Sequence, residues 1–369
     1  MTMLSAHDWL ERLKALPLPE RVRIMNVCGG HERSITMAGL RKALPENIEL
    51  IPGPGCPVCV CPEEDVYQAI QLALHEDITL VAFGDMLRVP VNAPRRAVRS
   101  LEQAKAAGAD VRPIASPMEA VAIARSQEKP VVFFAAGFET TTAPVAALIA
   151  QGVPGNLSFL LSGRLTWPAV AMLLDSEAPG FHALIAPGHV STVMGPEEWR
   201  FVPEKHGIPT AVAGFTPESL LAAMYSVLRQ LVEGEPFLDN CYPEVVRAGG
   251  NPGARGCLEE VMEVADANWR GVGVIPGSGF ALKPAYRHLD ARVRFPAYDD
   301  PDRRRAGEMP PGCDCARVVL GKIYPNECRL YGRACTPRHP IGPCMVSDEG
   351  ACRIWWAGGI RTPKEATCA

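Results

Sequence analysis

With 369 residues, 47% of them hydrophobic, the chain has material for more than one core, and its length predicts two or three domains. A formal net charge of −4 excludes the basic stripe that nucleic-acid binding requires. No run reaches the roughly 18 apolar residues of a membrane span, and "MTMLSAHDWLERLKALPLPERVRI" lacks a signal-peptide core, so a cytoplasmic protein is expected.

Along the chain, short runs rich in Val, Ile and Phe alternate with stretches of helical periodicity. The strand candidates are "RIMNVC", "IELIPG", "TLVAFGD", "VRPIAS", "PVVFFAAGFE", "LSFLLSG", "ALIAPGH" and "PTAVAGF"; helical stretches include "EEDVYQAIQLAL", "RRAVRSLEQAKAAGA", "TAPVAALIAQ" and "PESLLAAMYSVLRQLVE". Eight such alternations predict an α/β protein of two doubly wound parallel-sheet domains, placed at residues 1–116 and 117–235. Beyond residue 236 the text turns Gly- and Pro-rich, and residues 236–369 are expected to form a third domain. There "GVGVIPGSG" has Pro276 where a dinucleotide fingerprint needs its third glycine, and it reads as loop.

In such sheets ligands sit outside the carboxyl ends of the strands. The unusual residues fall there: "CGGHE" (Cys28 to Glu32), "GPGCPVC", "GDMLRVP", "GFETTTAP", "SGRL" and "PGHVS", which predicts a site in a cleft between the two units.

Thirteen cysteines without a signal peptide point to metal or redox chemistry rather than a disulfide framework. Five lie between Cys313 and Cys344, and Cys352 follows, in a segment with little apolar periodicity of its own. Twelve residues separate Cys315 from Cys328, six separate Cys328 from Cys335, and sixteen separate Cys335 from Cys352. This wide spacing suits an iron–sulfur cluster better than the close pairs of a zinc site, but does not itself settle the cluster type or the standing of Cys313 and Cys344.

In Cys56-Pro57-Val58-Cys59 the thiols are close enough to bridge, on a backbone stiffened by "GPG" and Pro57. Cys61 reads as a third ligand or, preferably, a buried thiol. Cys28 stands where a strand meets a helix, so backbone N–H groups are expected to lower its pKa, with His31 as a second ligand or proton carrier. A Gly-rich turn with a capping histidine is the plain alternative. Glu139, Thr140, Thr141, His189 and Ser191 stand at helix starts, where ordinary capping competes with function, and Asp85 with Arg88 reads equally as a salt bridge. Phosphate-loop and serine-hydrolase motifs are absent.

Together "CGGHE", "GPGCPVC", "FGDMLRVP", "GFETTTAP", "APGHVSTVMG", "WRGVGVIPGSG" and the terminal cysteines resemble the HypD family of [NiFe]-hydrogenase maturation proteins. The resemblance implies two α/β domains like each other plus a C-terminal iron–sulfur domain. It also implies a scaffold, working with a HypC-type chaperone and a HypE-type cyanide donor, on which an iron carrying one carbon monoxide and two cyanides is built for the hydrogenase large subunit. Carried across by position, Cys28 would hold that iron, Cys56 and Cys59 would be the redox pair, and Cys315, Cys328, Cys335 and Cys352 would ligate a [4Fe–4S] cluster, leaving Cys313 and Cys344 outside the pattern. Members often read Cys-Gly-Gly-His-Thr-His where this chain has Glu32 and Arg33, and "VPVNAPRRAVRSL" replaces a shorter turn.

On this reading Cys28 and His31 bind the iron, Cys56 and Cys59 relay electrons, and Glu139, Thr140 and His189 shape the facing wall. The rival is an iron–sulfur-linked thiol–disulfide oxidoreductase acting on protein substrates, and a weaker one is a zinc-stapled assembly protein.

Overall fold

The computed structural model describes residues 4–94, 96–176, 179–299 and 309–364. All eight expected strands form: β1 Val22–Cys28, β2 Ile48–Gly55, β3 Thr79–Phe83, β4 Val111–Ile114, β5 Val131–Gly137, β6 Leu157–Gly163, β7 Ala183–Pro187 and β8 Thr210–Ala213. Three more follow, β9 Leu238–Asn240, β10 Met262–Trp269 and β11 Gly273–Leu282. The helical stretches also form, although "RRAVRSLEQAKAAGA" contributes a helix only over Leu101–Ala106. Ser100 caps it, accepting the Gln103 N–H, so helical geometry starts there.

The strands divide between two parallel sheets, but not at residue 116. One sheet has the order β2-β1-β7-β8-β9 and the other β4-β3-β5-β6. The chain thus begins in the first sheet, builds the whole of the second, and returns to finish the first. Hydrophobic runs mark strands without encoding their partners, which is why a contiguous division was the natural expectation. Taken in chain order within each sheet, both follow the same arrangement of second, first, third and fourth strand. Each therefore reverses direction between its first and third strands, β1 and β7 in one and β3 and β5 in the other.

Burial on both faces explains the continuous apolar runs. In β5, Val131, Phe133 and Ala135 pack into one core with Ala146 and Ile149 of the helix Glu139–Ala150. Val132, Phe134 and Ala136 face the opposite core with Val66 and Ile70 of the helix Glu63–His75. In β1, Ile24 packs against Leu220 and Met224 of the helix Pro217–Glu233, while Met25 faces Val170 and Leu173 of the helix Thr166–Leu174.

The described residues after 236 do not behave as one separate block. β9 extends the first sheet beside β8, and β10 with β11 forms an antiparallel hairpin against the second. "GVGVIPGSG", expected as loop, is mostly β11. Gly271 and Gly273 supply the positive φ angles of the hairpin turn, so glycines that read as loop signals serve a turn between paired strands.

The described residues 309–364 have short helical turns and two helices, Cys315–Val319 and Ala351–Ala357. They share a core rather than building their own: Val318, Met345 and Trp355 join the one that contains Leu80 and Phe134 of the second sheet. Polar ties fix the segment at the carboxyl ends of both sheets. Ser347 Oγ donates to Asp85 Oδ2 (3.0 Å) after β3, and Trp355 Nε1 donates to Glu32 Oε1 (2.7 Å) after β1. Arg88 Nη2 donates to the Pro337 carbonyl (2.8 Å), so Asp85 and Arg88 hold this segment rather than each other.

β1 and β2 approach closely where they end, with Cys28 opposite Gly55. A Cβ on Gly55 would overlap the Val27 carbonyl oxygen, so Gly55→Ala must push the strands apart. We expect it to destabilise the protein by about 2 kcal/mol in urea unfolding. An unchanged midpoint would contradict this packing.

Candidate thiol and metal site

The carboxyl end of β1 lies beside the reversal point of the first sheet, where Cys28 precedes the helix Gly29–Met37. The adjacent β2 ends at Gly55 and delivers Cys56, which caps the short helix Pro57–Val60. Cys56 and Cys59 form a disulfide with a Cα–Cα separation of 5.3 Å, and the Cys59 N–H points at Cys56 Sγ (3.2 Å).

Strand register thus settles what linear spacing left open: Cys28 and Cys56 line one small chamber. Its other walls include Asn26, Glu32, Cys344 and Glu349, and it encloses about 10 Å³, at most a single water. Cys344 and Glu349 come from the C-terminal segment, so three stretches far apart in sequence meet here.

The amides of His31 and Gly30 favour a Cys28 thiolate, as the sequence suggests. Burial and the neighbouring Glu349 carboxyl outweigh them and push the thiol up to about 12. The expected lowering is therefore reversed: Cys28 is protonated at neutral pH and would ionise on meeting a cation. Glu349 is itself raised to about 7, by burial and by Asp85.

His31 is fully buried. Its Nε2 lies 3.0 Å from the Ala213 carbonyl, while Nδ1 has no hydrogen-bond partner among the described residues. Burial lowers its pKa to about 4, so the ring is neutral, and donation from Nε2 leaves Nδ1 as a lone-pair acceptor. His31 and His189 both pack on Phe215, with ring centroids at 4.7 and 3.9 Å. His189 is exposed and does not line the chamber.

Glu139 and Thr140 do not line it either. Glu139 accepts the Thr166 N–H and hydroxyl, both at 2.7 Å, fastening the end of β5 to the helix that packs on the first sheet. Cys61 is buried with its sulfur 3.5 Å from Ser162 Oγ, a thiol outside the chamber as preferred above.

Sequence reasoning missed the part played by Glu32, Glu349 and Cys344. Glu32 is 1% exposed and accepts from Arg41 (2.6 Å), Asn26 (2.8 Å) and Trp355 (2.7 Å). The departure of "CGGHE" from the pattern of the resembled family was the available signal. For Glu349, in "SDEG", the text carries none.

The C-terminal cysteines gather behind the chamber. The Cys352 N–H points at Cys344 Sγ (3.4 Å). A Cβ on Gly342 would overlap the sulfurs of Cys313 and Cys315. Cys328 and Cys335 are buried, and the Ile341 N–H points at Cys335 Sγ (3.4 Å). Among the described residues no three donors already converge on one ion position. The donor chemistry nevertheless fits a thiophilic group, since the side chains offer sulfur and backbone N–H groups turn toward it. Both an iron–sulfur cluster and zinc satisfy that test.

Burial raises the Glu139 carboxyl to about 7, against the opposing bonds from Thr166. The folded chain therefore keeps a proton that the unfolded chain releases near pH 4.5, and this group makes stability fall as pH rises from about 4.5 to 7. In Glu139→Gln that contribution disappears. The gap between the two proteins' unfolding free energies should change by on the order of 2–3 kcal/mol between pH 4.5 and 8, and parallel pH profiles would contradict the assignment.

Residues 5–359 match the HypD family, described as the hydrogenase formation hypA family. The hydrogenase maturation factor HypD of Azotobacter vinelandii is 39% identical over 366 residues, covering 96% of this chain and 94% of the relative. Those of Rhodobacter capsulatus and Escherichia coli K12 are each 40% identical, covering 92% and 91% of this chain and 90% and 88% of their own lengths. A match across nearly the whole chain places this protein in the HypD family, whose named members here are hydrogenase maturation factors.

Proposed function

We propose that the chain is a cytoplasmic assembly scaffold on which an iron bearing carbon monoxide and cyanide is built as cargo and passed to a hydrogenase large subunit. A HypC-type chaperone and a HypE-type cyanide donor are the partners this reading requires. The observation that carries it is the chamber shared by Cys28 and Cys56, with the C-terminal cysteines packed behind it.

Cys28 is the protein ligand of the cargo. A thiol held protonated by burial gives up its proton when ferrous iron binds, and Glu349 in the same chamber is placed to receive it. His31 presents a neutral imidazole beside that turn as a second donor or proton acceptor. The dithiol form of Cys56 and Cys59 supplies two electrons for reductive release of cyanide, and the disulfide is its spent form.

A [4Fe–4S] cluster held by Cys315, Cys328, Cys335 and Cys352 supplies one-electron chemistry when bound. Glu139 serves by positioning the helix that begins at Thr166, and the exposed His189 faces incoming partners. No helix among the described residues is long and apolar enough to cross a membrane.

The disulfide also favours a second reading, a cluster-linked thiol oxidoreductase without iron at Cys28. Infrared spectroscopy separates the two. Protein purified anaerobically with its chaperone should show carbon monoxide and cyanide stretching bands, and Cys28→Ala should abolish them while keeping its cluster iron. Cluster-replete protein without such bands would leave the oxidoreductase.

A further inference from the structure

Arg270 is 3% exposed, and nothing proposed above uses it. It follows Trp269 in the turn that joins β10 to β11. Its backbone N–H donates to the Val60 carbonyl (3.0 Å), and its Nη2 donates to the Pro90 carbonyl (2.7 Å) beyond β3. Nε and Nη1 are buried and have no hydrogen-bond partner among the described residues. Other guanidinium groups drawn into this fold meet a carboxylate: Arg41 lies 2.6 Å from Glu32, and Arg292 and Arg164 lie 2.7 and 3.7 Å from Asp65. A guanidinium keeps its charge at any ordinary pH, so Arg270 carries a buried positive charge with no hydrogen-bonded anion. Such an arrangement costs stability unless negative charge is supplied from elsewhere.

The C-terminal cysteines lie where that charge would arise. Trp269 before Arg270 and Val272 after it pack in the core that contains Cys315, Cys335 and Cys352. A Cβ on Gly271 would overlap Met309 and the Ala316 side chain, so the turn lies directly against the residue that follows Cys315. The Cys313 and Cys315 sulfurs are close neighbours, each 2.5 Å from the Cβ position of Gly342. Cys315 and burial push the Cys313 thiol up, and the Arg270 charge pulls it the other way.

We infer that Arg270 is the buried countercharge of the group held by the C-terminal cysteines, and that it raises the reduction potential of that group. This rests on the reading of those cysteines as ligands of an iron–sulfur cluster. A cluster ligated by thiolates is a net anion, and one-electron reduction makes it more negative; net charge is among the properties that set its potential. A fixed guanidinium in a low-dielectric interior offsets that charge in both states and offsets it more in the reduced one. Arg270 is thus a positioning residue that acts on the cluster through its charge and contributes no ligand.

The test is a potential measured on the full chain. Protein is purified anaerobically, reconstituted with iron and sulfide, and titrated with dithionite while the paramagnetic resonance signal of the reduced cluster is recorded. Arg270→Gln keeps a donor for the Pro90 carbonyl and loses the charge. Its midpoint should be more negative by about 59 mV or more, a loss of about tenfold in the reduced-to-oxidised ratio at fixed potential. Arg270→Lys keeps a cation and should recover more than half of that shift. A midpoint in Arg270→Gln equal to that of the unmutated protein would overturn the inference, as would one in Arg270→Lys as negative as in Arg270→Gln. Should circular dichroism show that Arg270→Gln misfolds, Arg270→Met, which leaves no polar head in the interior, takes its place with the same expected shift. Unmutated protein that forms no cluster would remove the iron–sulfur reading and the inference with it, whereas a cluster whose potential is the same in every variant would sink the inference alone.

Discussion

A buried carboxylate holds the site together. Glu32, on the helix after Cys28, binds Arg41, Asn26 of β1 and Trp355 of the C-terminal helix. Arg41 also packs over the Trp355 ring, 5.1 Å from its centroid. Removing the carboxylate would leave a guanidinium and an indole N–H without their partner in the interior, a change of about 3–5 kcal/mol for a buried pair. The loss would fall on the joint between the first sheet and the cysteine-bearing segment. The positions of Glu349 and Cys344 against Cys28 follow from that joint, seconded by Ser347 on Asp85.

The interleaved chain has a related consequence. Because β1 and β2 precede the second sheet and β7 to β9 follow it, neither sheet is built from one continuous stretch. The helix Thr166–Leu174 leaves β6 in the second sheet, packs on the first, and is fastened to β5 by Glu139. The carboxyl ends of the two sheets are tied through the same polypeptide that supplies the thiols. The proposed function, in which an iron, a dithiol and further sulfur ligands are held in fixed relation, would gain from such construction, since precision depends on rigid supporting elements.

Local patterns exposed the elements but not their partners. All eight strand runs were legible because strands buried on both faces read as continuous apolar text. Their division between sheets was not, since pairing over more than a hundred residues leaves no local period. The hairpin Met262–Leu282 was hidden because its turn glycines look like loop punctuation. At the site, Cys28, Cys56 and Cys59 stood out by residue type at strand ends, and register then brought Cys28 and Cys56 into one chamber. The sign of the Cys28 shift could not be read, because it depends on burial and on Glu349, hundreds of residues away. Glu349 and Cys344 acquire meaning only once the C-terminal segment is docked.

The central proposal is that Cys28 holds an iron distinct from the cluster iron proposed for the C-terminal cysteines. Mössbauer spectroscopy of the full chain, produced in isotope-enriched iron together with its chaperone, tests it most directly. The account predicts a low-spin ferrous signal beside the cluster signal, lost in Cys28→Ser while the cluster signal persists. A spectrum containing cluster iron alone, identical in the unmutated protein and the variant, would contradict it.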